Sequence, residues 1–266
     1  MRQRVELPGD SRQVFLTSHS THITAATELD SIVCIIAPTK DHGVSVSYPG
    51  KVFSDDSEGR ASKKYVERFL DATKSNMLFA KGVIFVEGIA EQLLLPCFAE
   101  YIKVPLEEHH IAVVAVGGST FKHFLPIFGA TPDPRKGIYM LESRVACLAD
   151  GDPMRKKEGD QKRKKCLPHQ IDCLVDQNNR FPFSSLADRT EYYPISSVVL
   201  NLQNQCNSSR NVKVFHSVKT LEYDLAADNQ CSEILIRTVP KHQQLLRSYA
   251  NDPEGQFGSL IKLLDR

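Results

Sequence analysis

The chain has 266 residues, 41% of them hydrophobic, which is enough for one ample core or for one domain with attached pieces. A formal net charge of +1 excludes a globally basic nucleic-acid binder, so any basic surface has to be local. The seven cysteines form no C-x-x-C pair, no apolar run approaches the roughly 20 residues that span a bilayer, and the start carries no secretory signal. The expectation is a cytoplasmic protein with reduced, buried thiols and no membrane association.

Residues 1–50 read as short strands and turns. VFLTSHS (14–20) and SIVCIIAP (31–38) are apolar strand patterns, and GVSVSY (43–48) alternates with period two. The segment lacks the helices that would close a core, so it reads as the tail of a domain whose beginning is absent. A helical pattern follows from Ala61 to Ala80, with Val66, Phe69, Leu70, Thr73 and Met77 on one face.

Strand and helix then alternate. GVIFV (82–86), IAVVAV (111–116) and RVACLA (144–149) are continuous apolar runs, as buried parallel strands are. AEQLLLPCFAEYIK and FKHFLPIFG read as the intervening helices. The alternation predicts an α/β fold with a parallel sheet flanked by helices, whose sites lie beyond the carboxyl ends of the strands. Residues 153–210 break the rhythm as a polar helical or loop insertion, opened by RKKEGDQKRKK (155–165). NVKVFHS (211–217) resumes strand character, KTLEYDLA begins a helix capped by Thr220, and EILIRTV and QQLLRSYA read as closing helices.

Three acidic clusters fall at strand ends: Glu87-Gly88 with Glu91, Asp150-Gly151-Asp152, and Glu222. Gly88 lets the chain turn after its strand, and a helix starting there places Glu91 one turn beyond Glu87. Crowded carboxylates repel unless a cation neutralises them. Oxygen donors without histidine or thiol select Mg²⁺ or Mn²⁺ over zinc.

The succession VIFVEGIAEQLLLP, IAVVAVGGSTFKHF, VACLADGDP and VKTLEYDLA resembles the Toprim domain of the overcoming-lysogenisation-defect (OLD) family of nucleases. VFLTSHSTHI resembles the last strand and switch-histidine turn of ABC-type ATPase domains, which OLD proteins place directly before the Toprim domain. The resemblance implies a Toprim (Rossmann-like) sheet in two parts, 81–152 and 211–266, around the insertion 153–210, with an ATPase tail over 1–50 and a connecting helix over 51–80. His19 is then either the remnant of a γ-phosphate-sensing histidine or an ordinary turn histidine.

By the same resemblance, the activity is divalent-metal-dependent DNA endonuclease chemistry of the two-metal type, in phage defence. Glu87, Glu91, Asp150, Asp152 and Glu222 are the metal ligands, two Mg²⁺ or Mn²⁺ are the cofactors, and Glu87, Asp150 and Asp152 carry catalysis. OLD nucleases also use a lysine near the end; here Glu254 of PEGQFGSLIKLL stands at that place, and Lys219 beside Glu222 is the substitute. ATP enters only through the rest of an ATPase domain, since no Walker A motif is present. The implied partners are DNA, a second copy in a homodimer, and an accessory helicase-like protein.

Some readings stay open on sequence. Gly117-Gly118 either shape a turn or approach a phosphate. Residues 155–165 carry seven basic side chains against two acidic ones, and form either a DNA-backbone clamp or a solvated loop. The competing functions are a degenerate Toprim module for dimerisation or DNA binding, and topoisomerase-type strand transfer. The latter needs a presented tyrosine nucleophile, a setting that Tyr192, Tyr193 and Tyr223 lack.

Overall fold

The computed structural model describes residues 14–37, 43–118, 120–166, 184–185 and 190–227. The chain opens with α1 (Thr21–Ala26), β1 (Cys34–Ile36), β2 (Ser45–Ser47), α2 (Ser57–Phe69), β3 (Gly82–Val86), α3 (Ile89–Tyr101), β4 (Ile111–Ala115), α4 (Phe121–Phe124) and β5 (Arg144–Ala149). It continues with β6 (Met154–Lys157), β7 (Lys164–Lys165), β8 (Ser184–Ser185), β9 (Thr190–Tyr193), α5 (Ser197–Cys206), β10 (Val212–His216) and α6 (Leu221–Ala227). The principal sheet has four strands in the order β10-β5-β3-β4 and is parallel, as the strand–helix alternation predicts. The chain divides into two units, one of residues 1–147 with 205–213, the other of residues 148–204 with 214–266.

In the first unit β3 pairs β4 in parallel, with Gly82 opposite Ile111 and Val86 opposite Ala115. Phe85 of β3 is fully buried and meets Phe124 and Phe128 at ring separations of 5.9 and 5.8 Å. Each such ring contributes roughly 1.5–3 kcal/mol on burial, so this cluster is what anchors the carboxyl end of β3 in place. The helix before β3 begins where Asp56 caps it, accepting from the Gly59 N–H at 2.7 Å, and buries Val66. It is joined to α4 by Tyr65 stacked on His123 at 4.3 Å and by Ser62 Oγ 3.0 Å from His123 Nδ1.

The amino-terminal expectations are met in part. Residues 31–38 and 43–48 supply only the short antiparallel pair β1–β2, with Cys34 opposite Ser47. Residues 14–20 form no strand: Val14, Phe15 and Leu16 are exposed, and Ser20 caps α1 by accepting from the Ile23 N–H. Among the described residues no strand pairs with this segment, and a strand pattern without a neighbour has no ladder acceptor for its backbone N–H groups. The helix expected over 61–80 starts earlier, at Ser57, and ends at Phe69.

The insertion, which the sequence left open between helix and loop, holds the helix α5 and also a sheet that the sequence did not announce. Its described part is antiparallel, in the order β7-β6-β9-β8. Met154 lies opposite both Lys165 and Tyr193, and Arg155 opposite both Lys164 and Tyr192. A run of lysines and strands of two to four residues hide the period-two signal on which strand recognition depends. The segments EILIRTV and QQLLRSYA and the residue Glu254 lie outside the described residues. Among the described residues no helix is long and apolar enough to cross a membrane.

Candidate active site

Two of the acidic clusters begin where a buried strand stops, whereas Glu222 lies on helix α6, beyond the loop that follows β10. Val86 ends β3, and Glu87-Gly88 turn the chain into α3. The Gly88 N–H donates to the Glu91 carboxylate at 3.1 Å, so Glu91 caps α3 from its third residue; glycine has no side chain to return the bond, and only this half of a capping box is present. The Glu87 carbonyl accepts from the N–H groups of Gly117 and Gly118, at 3.2 and 3.0 Å. Both glycines have positive φ, 79° and 70°, the conformation that lets two successive amides converge on one oxygen. This settles the alternative left by the sequence: both amides are spent on fixing the Glu87 turn. Glu87 and Glu91 are both partly buried.

The second cluster follows β5. Asp150 and Gly151 lie just beyond the strand, and Asp152 adopts φ 43°, uncommon for residues other than glycine, asparagine or aspartate. Long-range contacts hold this turn. The Gly151 N–H donates to Ser217 Oγ at 3.3 Å, the Gly151 carbonyl accepts from the Ser196 N–H at 2.9 Å, and the Asp152 N–H donates to the Lys219 carbonyl at 3.1 Å. A Cβ at Gly151 would collide with the carbonyl oxygens of Ser217 and Val218. Only glycine therefore allows the 150–152 turn to lie against the 217–219 loop.

That loop is itself tied down by α6. Thr220 caps the helix as expected, accepting from the Tyr223 N–H at 3.3 Å. The Val218 N–H donates to both oxygens of Asp224, at 3.0 and 3.2 Å. Burial pushes the Asp224 carboxyl up, against the lowering effect of the backbone N–H groups it accepts from. Glu222, on the first turn of α6, is exposed.

The cations around Asp152 are the main addition to the sequence reading. Lys165 Nζ donates to Asp152 Oδ2, and Lys219 Nζ lies 3.9 Å from Oδ1. Lys219 is well covered, with 14% of its side chain exposed, whereas Lys165 keeps 66%. Lys165 was legible only as one member of a basic run. Its approach to Asp152, thirteen residues earlier in the chain, follows from the β6–β7 hairpin.

The hairpin resolves the other basic residues too. Lys164 pairs with Asp160 at 3.0 Å, and that hydrogen bond holds the Asp160 carboxyl below the usual range. The Arg163 guanidinium lies 3.5 Å above the Tyr193 ring. Arg155 Nε is buried without a hydrogen-bond partner. The run thus forms a hairpin in which Arg163, Lys164 and Lys165 each meet a different partner. His19, in the first unit, is exposed, with its ring 6.2 Å from that of Phe79.

The candidate donors suit a hard divalent cation in kind. Asp150, Asp152, Glu87, Glu91 and Glu222 offer carboxylate oxygens. The Cys147 and Cys166 thiols are buried, and burial pushes Cys166 up to about 11, so neither is a ready thiolate ligand. Among the described residues, no group of three or more His, Cys, Asp or Glu side chains is arranged to hold a metal ion. Glu87 and Glu91 belong to the first unit and Asp150, Asp152, Lys219 and Glu222 to the second.

Residues 78–152 match the family described as overcoming lysogenization defect protein-like, TOPRIM domain. The match contains both strand-end clusters, Glu87 to Glu91 and Asp150 to Asp152. Among solved structures, the chain is similar to the C-terminal region of the Xanthomonas campestris pv. campestris OLD protein, at 21% identity over 70% of this chain and 78% of that one, with a TM-score of 0.35. It is also similar to the C-terminal region of the Burkholderia pseudomallei OLD protein, at 22% identity over 70% of this chain and 80% of that one, with a TM-score of 0.36. No curated protein matches the sequence.

Proposed function

We propose, from the premise that residues 78–152 are an OLD-like Toprim domain, that this chain is the nuclease module of an ATP-dependent DNA endonuclease. The reaction is metal-dependent hydrolysis of a DNA phosphodiester. One observation carries the reading: the Asp150-Gly151-Asp152 turn closes a buried parallel strand and holds a carboxylate beside two lysines. An acidic turn of this kind offers hard oxygen donors, and its lysines offer charge complementary to a phosphate.

The proposed ligands for two Mg²⁺ or Mn²⁺ are Glu87, Glu91, Asp150, Asp152 and Glu222. When bound, such ions supply positive charge against the phosphodiester and lower the pKa of water. The chain's own residues have distinct tasks. The Gly117 and Gly118 amides orient Glu87 through its carbonyl. Ser217 and Ser196 fix Gly151, and with it the two flanking aspartates. Lys219, held by the loop that Asp224 anchors, is the cation for charge developing on the phosphate. The β6–β7 hairpin supplies a positive face for the DNA backbone. A homodimer, an accessory helicase-like partner and an ATPase domain of which residues 1–50 are the tail belong to the same proposal.

The test is nicking of supercoiled plasmid. We expect cleavage with Mn²⁺ or Mg²⁺ and none in EDTA. Cleavage that persists in EDTA would refute the metal-dependent reading. The second reading, a catalytically inert Toprim module that binds DNA, is favoured by one observation: among the described residues no three candidate ligands form a ready metal cluster. It predicts DNA binding without nicking in either metal.

A further inference from the structure

Lys165 stands apart from the other basic side chains of its hairpin. The register of β6 and β7 sets Met154, Lys165 and Tyr193 in one cross-strand row, and side chains in such a row share a face of the sheet. Lys164, its neighbour, falls in the row of Arg155 and Tyr192 on the opposite face and is engaged by Asp160. The hairpin is closed by the Cys166 N–H donating to the Pro153 carbonyl at 2.8 Å, which brings Lys165 back beside Asp152. The carboxylate of Asp152 therefore has an ammonium on each side. The ammonium of Lys219 is largely enclosed, and that of Lys165 is open to solvent.

This arrangement has a consequence for any divalent cation at Asp152. Two ammonium groups already flank this carboxylate, so a metal ion that binds it must compete with at least one of them. Lys219 is confined by the 217–220 loop, whereas Lys165 has a long, solvated stem that can swing away at little cost. Once displaced, its charge stands next to the candidate metal site on the same face as Tyr193, over which Arg163 lies. That is where a backbone phosphate would be neutralised.

We propose that Lys165 is an exchangeable cation: it neutralises Asp152 until a divalent metal takes the carboxylate, and it then binds a backbone phosphate of the DNA. The inference rests on the proposed nuclease reading, and assigns Lys165 as a residue that couples metal occupancy to substrate binding. Metal and DNA should then favour each other's binding, because each relieves the competition the other faces.

The test uses the full chain with Mn²⁺ binding measured by EPR or calorimetry, and duplex DNA binding measured in Ca²⁺ at several salt concentrations. Lys165→Gln should bind Mn²⁺ about two- to fivefold more tightly, the scale of an exposed ion pair. It should also flatten the salt dependence of DNA binding by roughly 0.9 in logarithmic slope, one phosphate contact. Lys164→Gln should leave Mn²⁺ affinity unchanged, and Lys165→Arg should restore the salt slope. A Lys165→Gln protein that is folded by circular dichroism yet binds Mn²⁺ no more tightly than the parent overturns the proposal, as does an unchanged salt slope. The nuclease reading fails differently: if Asp150→Ala with Asp152→Ala binds Mn²⁺ as the parent does, the ligand assignment itself is wrong. If neither the parent nor Lys165→Gln binds Mn²⁺, both inferences fall.

Discussion

The two strand-end turns, Glu87 to Glu91 and Asp150 to Asp152, carry the same kind of side chain and are built in opposite ways. Within the first, the hydrogen bond is local: Gly88 to Glu91, three residues apart. A distant support is the Gly117-Gly118 pair on the Glu87 carbonyl. The second turn is held by Ser196, Ser217 and Lys219, all more than forty residues away, and its charge is met by Lys165 and Lys219. A turn built locally forms with its helix. One built from distant pieces forms only when the 217–219 loop and the hairpin have docked. The second should therefore be the more fragile, and the one through which binding is most easily tuned.

The largest expected effect comes from removing the carboxylates of the second turn. Asp150→Ala with Asp152→Ala should cut plasmid nicking by about two orders of magnitude or more, corresponding to roughly 3 kcal/mol of transition-state stabilisation. Circular dichroism should show the fold retained. Undiminished single-turnover cleavage would remove this turn from the site.

Gly151→Ala tests the docking itself. The new Cβ meets two backbone carbonyls, which cannot yield as a side-chain tip can. Overpacking of this kind costs about 1–3 kcal/mol. Urea unfolding should show a matching loss. A variant as stable as the parent would mean that the 217–219 loop is not packed against the turn.

Glu91 separates capping from metal binding in the first turn. Glu91→Ala should lose roughly 0.5–1 kcal/mol as the bond from the Gly88 N–H is removed, while Glu91→Gln keeps an acceptor for it and most of the stability. If Glu91 is also a ligand, both variants should weaken Mn²⁺ binding. Equal Mn²⁺ affinity in parent and Glu91→Gln would leave it a cap alone.

The smallest effect belongs to a purely local control, Asp71. Burial pushes its carboxyl up, but hydrogen bonds from the Lys74 ammonium, the Thr73 hydroxyl and the Lys74 N–H outweigh that and hold it at about 2. A depressed folded value contributes stability that is fully present above the unfolded value of about 3.9 and is lost as pH falls through about 2. The carboxylate is half exposed, so solvent screening keeps the contribution below about 1 kcal/mol. The Tm gap between the parent and Asp71→Asn should therefore close between pH 5 and pH 2. A gap that widens on acidification would reverse the assigned sign.

Much of the principal sheet was legible before the fold was known. The runs 82–86 and 144–149 coincide with β3 and β5, because a parallel strand buried on both faces must be continuously apolar. Thr220 was legible as a cap from its place before an apolar helix. The β6–β9 sheet was not, since lysine-rich strands of a few residues leave no alternation to read. Nor was the role of the Gly117-Gly118 amides, which depends on the β3–β4 register.

The sequence by itself determined which runs form the strands of the sheet and that two of them, β3 and β5, end in carboxylates, because hydrophobic run length and glycine placement are local properties. Only the tertiary structure decided which cations face those carboxylates. Lys165 and Lys219 reach Asp152 through a hairpin and through a loop pinned by Asp224, and Lys164 is turned to the other face by one step of strand register. Pairing between residues distant in the chain is set by register and docking, and a one-residue step in either exchanges a lysine at the site for one in solvent.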